Sequence, residues 1–142
     1  MVEKFIDDEK FRAETLTILS ESSIHLVSGF VTFMDKCIDE TYRRSAPSGA
    51  FHGYDQNLTI ILEILAAFPI GSFPPALFQK AAYSLERVGY YVGEAHGQSW
   101  AARKTWDTRA RDLSPEIIKE LRNVALQYGY VYVKQLIKSI PA

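Results

Sequence analysis

Apolar residues recur at steps of three and four along nearly the whole chain, the spacing of one face of an α-helix. A first helix is expected from a cap at Asp7 or Asp8 through EKFRAETLTILSES, with Phe11, Leu16, Ile18 and Leu19 on its apolar face. Residues 24–44 carry a stronger stripe of Ile24, Val27, Val31, Met34 and Ile38, widened by Leu26, Phe30, Phe33 and Cys37. SAPSGAFHG, residues 45–53, has the Pro, Gly and Ser of a loop. From Asp55 to Phe68 the pattern is apolar almost all round, which predicts a buried central helix ended by Pro69 and Gly71.

A further helix is predicted after a cap at Ser72 or Phe73, with prolines in its first turn. It stops near Gly93 or Gly97, or runs on through Trp100 and Trp106 towards Arg111. The last segment has the clearest start: Ser114 caps, Pro115 takes the first helical position and Glu116 faces the positive helix end. Ile117, Leu121, Val124, Ala125, Tyr128, Val131 and Leu136 keep helical spacing. YGYVYVK, 128–134, alternates as a strand would, but one short alternation should yield to its helical context. The expectation is an all-α fold, a compact bundle of five or six helices in a single domain spanning 1–142.

A length of 142 residues suits one core without covalent staples. The one cysteine, Cys37, allows no internal disulfide, and MVEKFIDDEKF lacks the basic start and apolar run of a signal peptide. Both predict a soluble, cytoplasmic protein. Residues 58–78 are the most apolar stretch, but Glu63 and three prolines interrupt it, so no membrane span is expected. A net charge of −1 argues against a nucleic-acid partner, which needs clustered Lys and Arg. The charge is uneven, however. Residues 1–21 hold three basic against six acidic side chains, and residues 103–112 hold four basic against two acidic.

The stretch GYYVGEAHGQSWAARKTW, 89–106, raises the sharpest questions. Ala81, Leu85, Gly89, Gly93, Gly97 and Ala101 stand at steps of four. On one helix they form a ridge with almost no side chain, against which a second helix can close. Alternatively, Gly93 and Gly97 are helix ends. His52 and Asp55 of the loop, with Glu94 and His96, make a two-His, two-carboxylate set if the segments meet. Neither segment has the spacing of helical metal sites, so no metal and no cofactor are expected. His25 lies four residues after Glu21 and reads as a structural pair, and Cys37 as a small core residue. Neither a Gly-x-Ser-x-Gly elbow nor a phosphate loop is present.

Elimination of catalytic motifs leaves a non-enzymatic helical protein-interaction module, of the neutralising (immunity-type) or adaptor kind. Its partner, another protein, is expected to meet Trp100, Arg103, Trp106 and Arg109, or the acidic start with Asp8 and Glu9. Lys104 and Arg111 add to the first segment. The two patches can also pair with each other, within one molecule or by self-association. The competing expectation is a small-ligand protein or enzyme, with a pocket of Tyr83, Tyr90, Tyr91, Tyr128 and Tyr132 and with His52, Asp55, Glu94 and His96 at its mouth.

Overall fold

In the computed structural model the chain is all-α. The structure describes residues 1–22, 30–45, 51–92 and 100–140, with side chains for all of these but 44–45, 51–54, 91–92 and 100–101. Among the described residues there are eight α-helices and no strand. They are α1 (Val2–Asp7), α2 (Glu9–Ser20), α3 (Val31–Ser45), α4 (Phe51–Ala67), α5 (Pro75–Val92), α6 (Trp100–Arg109), α7 (Pro115–Tyr128) and α8 (Val131–Lys138). Short 3-10 turns at Ile70–Ser72 and Ala110–Asp112 follow α4 and α6.

α4 is central, as its pattern predicts: α2, α3, α5 and α6 all pack on it. Leu58, Ile60, Ile61, Leu62, Ile64 and Leu65 are each at most 2% exposed. Thr59, Glu63 and the exposed Ala66 leave a narrow wetter face, and six buried side chains in eight positions cover the rest. Each contributes roughly 1.5–3 kcal/mol of burial. The helix also begins earlier than expected, so Phe51–Gly53 belong to its first turn and not to a loop. On α3, Met34, Cys37, Ile38 and Thr41 are buried, one turn apart as the stripe requires.

There are more helices than five or six because the chain breaks where local chemistry favours a break. Asp8 is extended (φ −110°, ψ 99°) and its carboxylate accepts the Phe11 N–H at 3.0 Å. That confirms the cap, but the residues before it form a helix of their own. Ser114 caps α7 as expected, accepting the Ile117 N–H at 3.2 Å. α7 then ends at Gly129, which takes the left-handed conformation (φ 71°) natural to glycine. The N–H groups of Gly129 and Tyr130 both return to the Ala125 carbonyl. Val131–Val133 of YVYV duly become helix, but a new one, with Tyr130 extended at its N-cap. α5 starts at Pro75, later than Ser72 or Phe73 would place it. Phe73 instead drops into the core between the rings of Phe68 and Phe78, 5.1 and 5.2 Å away.

Two features of α5 fix α8. Tyr130 gives α8 no side-chain cap. Glu86 supplies one from α5: its carboxylate accepts the N–H groups of Val131, Tyr132 and Val133 at 3.1, 2.9 and 2.8 Å. Three donors that the helix cannot satisfy itself are thereby met, by a negative charge at the positive helix end. One turn on, Gly89 lies directly beneath α8. A Cβ added there would stand 2.9 Å from Tyr132 Cβ and 3.2 Å from Leu136 Cδ1. Gly89 thus sits against another helix as the ridge predicts, and Gly93 and Gly97 lie outside the described residues. Gly89→Ala should lower stability, because overpacking of about 1–3 kcal/mol outweighs the ~1 kcal/mol gained in helix propensity. A denaturant midpoint at or above that of the parent would show that the two helices can separate freely.

Cys37 is fully buried, and burial pushes its thiol up to about 12. The reactive thiolate is thereby suppressed. Iodoacetamide at pH 8 should leave the folded protein unlabelled and alkylate it rapidly in denaturant, as read by intact mass.

Candidate interaction surface

The charged segments come together inside the molecule. Arg12 of α2 is buried, and its Nε donates to Glu63 of α4 at 2.5 Å. Its Nη1 donates to the Phe5 and Ile6 carbonyls at 3.1 and 2.9 Å, so one guanidinium closes the C-terminal end of α1 and neutralises the acid of the central helix. Arg109 of α6 approaches the same Glu63 at 3.8 Å and Glu9 at 3.9 Å. Of the residues expected to meet a partner, Asp8 is therefore a helix cap, and Glu9 and Arg109 face each other. Arg103 pairs with Asp107 one turn along α6 at 3.3 Å. The basic and acidic patches offset each other here because α6 and α2 share α4 as a neighbour.

Trp106, also expected at the surface, is 1% exposed. Its indole N–H donates to Ser139 Oγ at 2.9 Å, and Ser139 donates to the Leu136 carbonyl at 2.7 Å, so the ring ties α6 to the end of α8. It is a core residue, buried where α6 meets the end of α8. The Trp100 side chain lies outside the described residues.

Of the alternative pocket, Asp55 accepts a hydrogen bond from the Thr105 hydroxyl, which binds α4 to α6. The side chains of His52, Tyr91, Glu94 and His96 lie outside the described residues, as does His25. Among the described residues, no three His, Cys, Asp or Glu side chains gather as a metal site would need, and no helix is long and apolar enough to cross a membrane.

The tyrosines do converge, on a surface. Tyr83, Tyr90 and Tyr128 are 47%, 39% and 51% exposed. Tyr128 stacks on Tyr130, with centroids 5.7 Å apart and planes 25° apart, and Tyr90 meets Tyr132 edge-on at 5.5 Å. Arg87 of α5 lies 3.7 Å from the Tyr42 ring centroid and 5.4 Å from that of Tyr83. Burial first, then the neighbouring Tyr128, Glu86 and Tyr83, push the Tyr130 hydroxyl above the ordinary tyrosine value, so it stays a hydrogen-bond donor. Val131, 55% exposed, extends the face.

Rigid backbone carries these rings. Gly89 lets α8 close on α5, and Glu86 pins the first turn of α8, which follows Tyr130 and contains Tyr132. Sequence reasoning passed over Arg87 and Glu86. The spacing of Tyr83 and Arg87, one helical turn apart, was the available signal. Compared with known proteins, the chain matches no family model, no curated protein and no solved structure.

Proposed function

We propose that this chain is a helical protein-interaction module, without catalytic chemistry of its own, whose recognition face is the tyrosine surface of α5, α7 and α8. The observation that carries the reading is the gathering of Tyr83, Tyr90, Tyr128, Tyr130 and Tyr132 with Arg87 on one partly exposed face. Tyrosine and arginine dominate binding hot spots, because a tyrosine brings a large rigid area and one polar tip at little entropic cost. The charged segments support it less, since Glu9, Arg103 and Arg109 already have internal counter-charges. Opposite charges paired within the molecule largely cancel each other's field at a distance, which weakens steering of a partner.

The test is affinity capture with two baits, the native chain and a Tyr83→Ser, Tyr128→Ser variant, after both give the same circular dichroism and melting. A protein held by the native bait should be lost or weakened at least tenfold with the variant. A third bait, Arg103→Glu with Arg109→Glu, should retain it. The reverse pattern would return the interface to the basic segment, and equal capture by all three baits would place it on neither. Sedimentation of the native chain alone separates self-association from capture of a different protein.

A further inference from the structure

Arg87 stands out within this face by what it lacks. Resting on the reading of the tyrosine surface as a recognition face, we infer that Arg87 receives a carboxylate from the partner, so that the partner presents an acidic segment. Among the described residues no carboxylate lies within ion-pair distance of Arg87. Its sequence neighbour Glu86 is the natural candidate, but both Glu86 oxygens are committed to the N-terminus of α8. The guanidinium instead packs against Tyr42, with Tyr83 close by.

Stacking uses the face of a guanidinium and leaves its in-plane N–H donors available. Five donors in a fixed fork suit a carboxylate bidentately. The half-buried position strengthens such a pair relative to open water. The rings hold the group in place beforehand, so less freedom is lost on binding. A nucleic-acid phosphate would use the same fork. It would also need several cations along its path, and among the described residues Arg87 is the one cation that lies over these tyrosine rings.

The probe is a pair of peptide display libraries, one in which every peptide carries Asp or Glu and one in which those positions are Asn or Gln. Both are selected on the native chain, and the winners are measured by calorimetry against variants whose melting matches the parent. Binders should come from the acidic library. They should weaken at least tenfold on Arg87→Gln and less on Arg87→Lys, which keeps the charge and loses the fork. Replacing Asp or Glu by Asn or Gln in a selected peptide should remove most of the effect of Arg87→Gln. Binders that depend on Tyr83 and Tyr128 but come equally from both libraries would overturn the carboxylate and leave the face intact. Binders indifferent to Arg87, Tyr83 and Tyr128 alike would overturn both. Arg87-dependent binding of single-stranded oligonucleotide in place of acidic peptides would overturn the choice of partner.

Discussion

Replacing Arg12 with methionine should remove about 3–5 kcal/mol of folding stability, a large fraction of what a domain of this size has. Methionine fills much of the same space, so the loss isolates the charge and its hydrogen bonds. Three things fail together. Glu63, with its side chain 18% exposed, loses its 2.5 Å partner and, among the described residues, keeps Arg109 at 3.8 Å. The Phe5 and Ile6 carbonyls lose the donor that closes α1. α1, a helix of six residues, is far too short to persist without its neighbours. Denaturant unfolding should therefore show a lower midpoint, and amide exchange in α1 should accelerate more than in α4. Removing both partners, as Arg12→Met with Glu63→Leu, should recover much of the loss, since the cost lies in the orphaned acid more than in the pair. A single variant costing under about 1 kcal/mol would mean that water reaches Glu63 readily and that α1 docks through Phe5 and Ile6 alone.

That pair marks the boundary of what the sequence makes legible. Periodicity locates α4 and its central place, because a helix apolar almost all round has nowhere else to go. Asp8 and Ser114 are legible as caps for a local reason, each acting on the residue three positions ahead. The end of α7 was available too: Gly129 is the ordinary stop signal, and the apolar spacing that continues past it conceals the break. Contacts between distant positions are another matter. Arg12 and Glu63 are 51 residues apart, and Glu86 caps a helix 45 residues further on. Each can be suspected, since an acid inside an apolar helix demands a counter-charge. Its partner cannot be chosen among 16 Lys and Arg without the fold. The sequence likewise leaves open whether the acidic start and the basic segment meet a partner or each other, and packing on α4 brings Glu9 and Arg109 to 3.9 Å.

Trp106→Ala should be as costly, about 3–5 kcal/mol, and for a different reason. The ring is 1% exposed where α6 meets the end of α8. Its loss opens a void next to an existing cavity of about 220 Å³ lined in part by Ala110, Ser139 and Ile140. That neighbouring space makes collapse around the void incomplete, and the cost of a truncation grows with the cavity left behind. The order of variants separates volume from hydrogen bonding. Trp106→Phe keeps much of the apolar volume and forfeits the bond to Ser139, so it should cost about 1–2 kcal/mol. Ser139→Ala should cost less again, because the indole N–H then finds water from the cavity. Intrinsic fluorescence of the parent should be quenched poorly by acrylamide at Trp106, and a Trp106→Phe chain reports Trp100 alone. Partner binding gives the opposing outcome. If Trp106→Ala melted like the parent and still lost its partner, the ring would have to turn outward in solution, and the basic segment would regain its claim as the recognition face. With the indole held by Ser139, binding to the tyrosine surface should instead survive Trp106→Phe unchanged.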